Sequence, residues 1–300
     1  MNDYTTCREL KPYLEPTKAM RLGAPGKFGS LDLVFELDKD KKSIMRHWDR
    51  RAPLIVQQEL YFDEGMPEMP CVYILSSGGP NVDGDRYENR FTVRKDAYAC
   101  ISTGAATKIA EMVYNFSGLK QCFVLEENAY LEYMPEATIP CRHSRYIEID
   151  PTATLFYSEI YMGGRKYYGE GELFEYDLLS VCTRAHRPDG TLLFREKLVA
   201  EPFLNPVRAI GTMHDYDVFA NVVVLTPPQE TSRIYEQTKA YIDRQEDIAV
   251  GISHLPNDCG LIFKVLGKET SPVKKVVRQF CSTVRMQVKG KPLPEEFAWR

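Results

Sequence analysis

Hydrophobic and polar residues alternate along much of the first 226 positions, which is the pattern of β-strands. In SLDLVFEL (30–37) every second residue is apolar, and Asp32 and Glu36 fall on the opposite face. Similar runs predict further strands over residues 53–60, 71–76, 87–93, 97–103, 120–126, 153–162, 178–185, 191–199, 217–226 and 260–267. Turn signals separate the strands and no helical pattern comes between them, which predicts an all-β sandwich, barrel or solenoid. The lack of a fixed-period repeat disfavours a regular solenoid but leaves an irregular one open.

The last third of the chain carries two helical patterns. The first covers about 227–245, with Thr226 as its N-cap and Pro227 in its first turn. The residues that share its apolar face are Ile234, Thr238, Tyr241 and Ile242. The second covers about 271–287, with Ser271 as its N-cap and Pro272 in its first position. Its apolar stripe consists of Val273, Val276, Val277, Phe280 and Val284.

These patterns predict a mainly β fold: a large β-rich body followed by two C-terminal helices. We expect one domain over residues 1–300, with a β-rich body over about 20–226 and a strand–helix part over about 227–290. The helices should pack on one side of the body. Strand residues should outnumber helix residues by more than two to one.

Composition narrows the class of protein. Hydrophobic residues make up 44% of the 300 positions, enough for a packed core, and the net charge of −4 disfavours a nucleic-acid partner. No apolar run reaches the roughly 18 residues that span a bilayer, and the N-terminus has no apolar core of a signal peptide. The eight cysteines are scattered without a C-x-x-C pair, which indicates buried free thiols. We therefore expect a cytoplasmic protein.

The glycine-rich stretch SSGGPNVDGDRYE (76–88) raises the first question of chemistry. It lacks the Lys-Ser or Lys-Thr of a P-loop and the bidentate glutamate of a calcium loop. Its local pattern favours a strand–turn–strand connection in which Gly78, Gly79 and Gly84 take positive φ angles.

Two further clusters offer carboxylates. Glu170 and Glu172 would share a face if they lay on a strand, and could then serve as an acid/base pair or as hard metal ligands. A solvated acidic turn is the alternative. His214, with Asp215 or Asp217, could bind a metal. The alternative is that these residues simply form a turn at the entrance of a strand. The pair Cys141 and His143 is weak evidence for a metal, and no G-x-S-x-G or H-E-x-x-H motif is present. The absence of these catalytic motifs favours a binding or assembly protein over an enzyme.

The succession of five stretches resembles the urease accessory protein D family, called UreD or UreH. The stretches are GKFGSLDLVFE with APLIVQQELYFDE (26–36, 52–64), CVYILSSGGPNVDGDRYE (71–88), STGAATKIAEM (102–112), LEYMPEATIP (131–140) and GGRKYYGEGELFEYDLLS (163–180). They span about half of the chain, in the family's order. Ser76 and Ser77 replace the family's prolines, and Asp83 replaces a glycine. Asp85 matches the family aspartate, and either Glu170 or Glu172 matches the family glutamate.

The resemblance implies a large, solenoid-like body of stacked β-sheets with two C-terminal helices. It also implies a maturation factor for the nickel enzyme urease, with no turnover of its own. Such proteins bind the urease apoprotein and the helical accessory protein UreF, which engages the GTPase UreG. Their proposed task is to conduct Ni²⁺ through an internal hydrated passage, so no tightly bound cofactor is expected. Weak oxygen ligands suit transit, because a Cys/His cage would trap nickel. The candidate ligands for nickel in transit are Asp85, Glu170, Glu172, His214 and Asp217.

Two alternatives stay open. One is a carboxylate-dependent hydrolase on a β-solenoid, with Glu170, Glu172 or Asp85 as acid and base and with aromatic residues stacking on a sugar. The small number of tryptophans, which is two, and the absence of a duplicated coil pattern disfavour a hydrolase. The other is a pure scaffold without a metal passage. Co-purification with a helical partner and a urease subunit would separate an assembly protein from a hydrolase.

Overall fold

A computed structural model describes residues 8–14, 26–112, 114–140, 145–149 and 154–294 of the chain, with backbone only for 145–149. Strands take up 44% and helices 15%, which confirms the predicted mainly β class and its ratio of strand to helix. No helix within these ranges has both the length and the apolar character needed to cross a bilayer.

The described residues form eighteen strands. In chain order they are β1 (Phe28–Leu37), β2 (Ser43–Arg51), β3 (Leu54–Ile55), β4 (Cys71–Ser76), β5 (Arg86–Val93), β6 (Tyr98–Thr103), β7 (Thr107–Ile109), β8 (Ser117–Leu125), β9 (Tyr130–Tyr133), β10 (Thr138–Pro140), β11 (Arg145–Ile149), β12 (Thr154–Met162), β13 (Leu179–His186), β14 (Leu192–Ala200), β15 (Val218–Leu225), β16 (Tyr241–Asp243), β17 (Ile248–His254) and β18 (Gly260–Gly267). One sheet has seven strands in the order β14-β13-β11-β8-β5-β1-β2. The other has eleven, along the path β16-β17-β18-β15-β12-β9-β6-β4-β3, with β7 and β10 beside it. Short 3-10 turns cover Arg8–Tyr13 and Pro256–Asp258.

Between β4 and β13 the chain winds as an irregular solenoid. Strands β5, β8, β11 and β13 lie side by side in the seven-stranded sheet, and β4, β6, β9 and β12 in the other, all paired in parallel. Side chains on successive coils contact each other: Asn128 donates to the Asp96 carboxylate at 2.9 Å, 32 positions earlier. Antiparallel strands such as β2, β14 and β15 end the parallel stacks. The coils share no sequence repeat because an inward position needs only an apolar side chain of suitable size.

A hydrophobic core fills the space between the two sheets, and a second core lies under the helices. The first contains Phe91 and Phe123 of the seven-stranded sheet against Tyr133 and Tyr157 of the other. Strands with one face toward each core are buried on both faces, which explains why β15 is apolar at nearly every position.

The second predicted helix is confirmed as α2 (Thr270–Lys289), with Glu269 rather than Ser271 as its N-cap. Its apolar stripe packs on the outer face of the eleven-stranded sheet, where the Phe280 ring stacks on Phe263 with centroids 4.1 Å apart. The stripe predicted from the sequence is thus the surface that attaches the helix to the body.

The first predicted helix is wrong in its second half. Helix α1 covers only Pro228–Gln237, after Pro227 as its N-cap in place of Thr226. Thr238 is extended, and Tyr241 and Ile242 belong to β16, which pairs with β17. Hydrogen bonding along a sheet edge overrides the helical periodicity of these residues.

Two strands in the region of residues 43–60 differ from the sequence-based prediction. The strand predicted over 53–60 shrinks to Leu54–Ile55, while the strand Ser43–Arg51 was not predicted. The latter is an edge strand whose residues are exposed from Arg46 onward, so it lacks the alternation of a half-buried strand.

The six described cysteines are free and five are buried, as expected. Cys7, Cys141 and His143 lie outside the described residues.

Candidate functional site

Asp85 joins two of the stretches on which the resemblance rests. Its fully buried carboxylate accepts hydrogen bonds from the backbone N–H of Lys27 (2.9 Å) and Val82 (3.0 Å) and from the Tyr87 hydroxyl (2.9 Å). The Lys27 ammonium lies 3.0 Å away. Asp85 therefore fixes the glycine-rich loop against the start of β1.

The glycine-rich loop is the strand–turn–strand connection that the sequence predicts. Gly79 and Gly84 have φ angles of 69° and 77°, which confirms two of the three predicted positive angles. The prediction is wrong for Gly78, whose φ is not positive. A Cβ at Gly78 would lie 2.9 Å from Cβ of Pro53, so this glycine permits close packing instead.

The loop forms one wall of a cavity of about 400 Å³ at an edge of the space between the sheets. Residues within 74–81, 103–108 and 133–138 line it, together with Asn89 and Glu159. Leu54 of the first stretch also lines it, so four of the five stretches converge on one space, although 29 and 32 positions separate paired residues of β4, β6 and β9. The solenoid winding brings them together.

Beside the cavity, the seven-stranded sheet directs amides into the core. Asn89 and Gln121 are register neighbours on β5 and β8, each buried among inward apolar side chains such as Phe91 and Phe123. The Gln121 amide N–H donates to the Tyr133 hydroxyl of the opposite sheet. The Asn89 Oδ1 and Gln121 Oε1 atoms are buried and have no hydrogen-bond partner within the described part of the chain.

The eleven-stranded sheet contributes matching groups. Glu159 and Asn221 are register neighbours on β12 and β15, and the Tyr161 hydroxyl donates to Glu159. Asn221 Nδ2 donates across the core to Glu196 Oε2 at 3.0 Å, while its Oδ1 has no partner among the described residues. The Tyr157 hydroxyl lies near Glu159 without hydrogen-bond geometry, and burial together with the Glu159 charge raises the pKa of Tyr157.

We call this set the inter-sheet polar layer; it consists of Asn89, Gln121, Glu159, Glu196 and Asn221. A buried polar atom without a partner costs about 1–3 kcal/mol, so the open oxygens of Asn89, Gln121 and Asn221 are favourable places for water or a cation to bind. The atoms left open are all oxygens, which accept hydrogen bonds or coordinate cations. The layer is chemically suited to a hydrated cation.

Sequence reasoning missed this layer, although a signal was present. Asn89 follows the inward Tyr87 by two positions on β5, and Glu159 follows the inward Tyr157 by two on β12. A polar residue in the apolar half of an alternating strand marks a buried polar group. The partnership of Asn221 with Glu196 has no such local signal.

The predicted pair Glu170 and Glu172 lies in a turn region after β12, so the strand on which they would share a face is absent there. Glu172 accepts two hydrogen bonds from Arg165, at 2.6 and 2.7 Å. Glu170 is exposed. The solvated-turn alternative describes Glu170, whereas Glu172 holds the loop through a bidentate ion pair.

The predicted His214 and Asp217 lie in one loop but play different parts. Asp217 is buried, with Arg208 Nη2 at 2.6 Å and Lys166 Nζ at 3.0 Å. Burial works to raise the pKa of Asp217, but these two cations lower it overall. His214 is exposed, has a φ of 46°, and lies 3.5 Å from Asp215. The loop is therefore fastened by Asp217 and carries His214 on its surface.

No three His, Cys, Asp or Glu side chains among the described residues are grouped so that they could hold a metal ion. Together these features define a mainly β protein in which the distinctive sequence stretches surround an internal polar space.

The comparisons identify the family. The model of the UreD urease accessory protein family matches residues 27–300. The chain is 45% identical to urease accessory protein UreD 2 of Brucella suis biovar 1, an alignment that covers 97% of this chain and 98% of that protein. It is 43% and 42% identical to the UreD proteins of Yersinia enterocolitica and Yersinia pseudotuberculosis, covering 97% of this chain and 92% of each relative. This chain belongs to the UreD urease accessory protein family.

Proposed function

We propose that this protein is a non-catalytic maturation factor of urease that binds the urease apoprotein and conducts Ni²⁺ toward its active site in the cytoplasm. Its further partners are a UreF-like helical protein and, through it, a UreG-like GTPase. Family membership and the names of the relatives support the role in urease maturation. Nickel is cargo in this proposal, so the chain needs no resident metal.

The observation that carries the nickel step is the inter-sheet polar layer. It places carboxylate and amide oxygens inside the core, next to a cavity that the family's stretches surround. Such ligands bind Ni²⁺ more weakly than thiolates and imidazoles and allow it to move on. We propose that the cation enters at the cavity and passes along the layer past Glu159.

The five residues predicted from the sequence enter this proposal in two groups. Asp85, Glu172 and Asp217 each hold a lysine or arginine, so a cation that used them would have to displace that partner. Glu170 and His214 are exposed and could meet a cation only outside the core. The nickel role of all five stays a prediction, secondary to that of the layer.

The decisive experiment is urease activation in cells that carry Glu159→Gln. This substitution keeps the shape of the side chain and removes its charge, so co-purification with urease and the other accessory proteins should persist. Nickel content and activity of the urease should fall together. Exposed Glu127, replaced by Gln, is the matched control and should activate normally.

Full activation by Glu159→Gln combined with Asn221→Ala would reject the passage and leave a scaffold. Loss of co-purification in these variants would instead show a structural defect. The triple alanine variant of Asp85, Glu170 and Glu172 tests the residues predicted from the sequence in the same assay.

A further inference from the structure

Two cysteines contact each other on successive coils of the solenoid. Cys71 of β4 and Cys100 of β6 are register neighbours on parallel strands, and both are completely buried. A hydrogen bond joins their thiols. Register neighbours on adjacent strands lie about 4.8 Å apart, within the Cα separation of about 4.4–6.8 Å that a disulfide requires. The fold therefore holds two sulfur atoms where a bond can form between them.

The pair lies on the outer face of the eleven-stranded sheet, away from the inter-sheet polar layer. Val72 and Ile101, the next residues along the same strands, point into the core between the sheets, so the two cysteines point the other way. Glu132 of β9 continues the row as the register neighbour of Cys100. The pair is therefore separate from the proposed nickel passage, and its chemistry does not depend on it.

In the closed structure the pair is held in its unreactive form. A hydrogen bond with Cys71, burial and the charge of Glu132 raise the pKa of Cys100, so this thiol stays protonated. The thiolate, and not the thiol, is the species that oxidants attack. Reaction therefore requires an opening that admits water and oxidant to the two sulfur atoms.

The segment over residues 57–70, which we call the strap, covers the pair. The strap lies between β3 and β4 and contains no strand apart from one isolated bridge. Its Met66 and Met69 side chains pack in one cluster with the two cysteines. Asp63 fastens the strap, because it accepts hydrogen bonds from Arg285 of α2 and from the backbone N–H of Met66. Since the strap belongs to neither main ladder, it can open while β4 and β6 stay paired.

We propose that Cys71 and Cys100 are a site of reversible oxidation, where a peroxide converts the two thiols into a disulfide between successive coils when the strap opens. One thiolate attacks a peroxide oxygen and becomes a sulfenic acid, and a first water leaves. The second thiolate attacks the sulfenic sulfur, forms the S–S bond and releases a second water. Hydrogen peroxide is thus reduced by two electrons. A dithiol reductant reverses the step, so the pair stays reduced in a reducing compartment.

Peptide mapping of the purified full chain tests the site. The reduced protein is treated with hydrogen peroxide, the remaining thiols are blocked with N-ethylmaleimide, and the unreduced digest is analysed by mass spectrometry. The expected product is a pair of peptides linked through Cys71 and Cys100, which dithiothreitol separates. Cys182 and Cys259 are buried in other clusters, should remain thiols and serve as internal controls.

The disulfide should also raise the melting temperature of the oxidised chain by about 5–10 °C, because it closes a loop of the unfolded chain. Cys100→Ser must abolish both the linked peptides and this rise. If Cys100→Ser fails to fold, Cys71→Ser must give the same result. The peptide map of the unchanged chain needs no variant and decides by itself. Recovery of both cysteines as maleimide adducts, or their linkage mainly to other cysteines, overturns the proposal.

The role of the strap has its own test. Asp63→Asn weakens the attachment to Arg285 and should speed formation of the disulfide by about tenfold or more. Glu126→Gln weakens the exposed pair with Arg94 and should leave the rate unchanged. An Asp63→Asn variant whose pair is oxidised no faster than in the unchanged chain overturns the opening of the strap as the controlling step.

Discussion

Arg285 of α2 and Glu132 of β9 form a bidentate ion pair in which both side chains are completely buried. Their two N···O distances are 2.7 and 2.8 Å, across 153 positions of sequence. Arg285 also donates to Asp63, and the Tyr130 hydroxyl donates to Glu132 at 2.7 Å. Although burial acts against its charge, hydrogen bonds and attraction from Glu132 raise the pKa of Arg285, which stays charged. The pair ties the helical layer to the strands beneath it.

Replacing Arg285 with Met should therefore destabilise the protein strongly. The substitution leaves Glu132 and Asp63 buried without their cation, a change that typically costs about 3–5 kcal/mol. Urea unfolding followed by circular dichroism measures it. Arg94→Met, which breaks the exposed pair with Glu126, is the control and should shift the midpoint little. Equal shifts for both variants would contradict the importance of the buried pair.

Asp85→Asn should destabilise the glycine-rich loop even though it preserves the shape of the side chain. Asp85 would lose its charged hydrogen bonds from the Lys27 and Val82 backbone amides and its ion pair with Lys27, which should cost about 2–3 kcal/mol. Thermal unfolding gives the stability, and the amount of soluble protein in cells gives its consequence. If urease activation falls while stability and amount stay normal, Asp85 acts on nickel directly.

Acid should release the loop that contains Asp217. Hydrogen bonds from Arg208 and Lys166 outweigh burial and hold the pKa of Asp217 below its ordinary value. Its stabilising contribution is therefore fully present above an unfolded-state pKa of about 4 and is lost as pH falls through the lower folded-state value. The difference in melting temperature between the unchanged chain and Asp217→Asn should be constant above about pH 5 and shrink below about pH 4. A difference that grows on acidification would contradict this linkage.

The C-terminal helices should provide the docking surface for the UreF-like partner through residues that the fold leaves exposed. The main stripe of α2 is used internally, but Met286 is 52% exposed and Tyr235 of α1 is 39% exposed. Met286→Glu with Tyr235→Glu should abolish co-purification with this partner and leave the fold intact. Phe203→Glu with Leu204→Glu charges another exposed apolar surface and is the control. The reverse outcome would move the docking surface to that loop.

The sequence predicts the strands well wherever their inward positions are apolar, as in β1 and β4. It also predicts α2 from its apolar stripe, although the N-cap is Glu269 and not Ser271. It fails for β2, an edge strand with exposed charges, and for the end of α1, where pairing of β16 with β17 decides. In each failure, pairing with an adjacent strand determines the structure, because β2 pairs with β1 and β16 pairs with β17.

The candidate site is also predicted from the sequence only in part. Motif order pointed to the glycine-rich loop and to Asp85, which the structure places beside the cavity. The layer itself depends on register: Asn221 meets Glu196 only because β14 and β15 lie in opposite sheets. No spacing along the chain encodes that meeting. Judged by residue type alone, exposed acids such as Glu170 were predicted as ligands. A single buried polar residue within a strand was not, because it breaks the apolar pattern from which the strand is predicted.

The parallel winding has a consequence for the length of this protein's β body. Each coil adds one strand to each sheet, and neighbouring strands lie about 4.8 Å apart. The distance between the two ends of the body can therefore change only in steps of about 4.8 Å, by gain or loss of a whole coil. Loops at the bends can vary in length without changing that distance. The span of a body built in this way is set by the number of its coils.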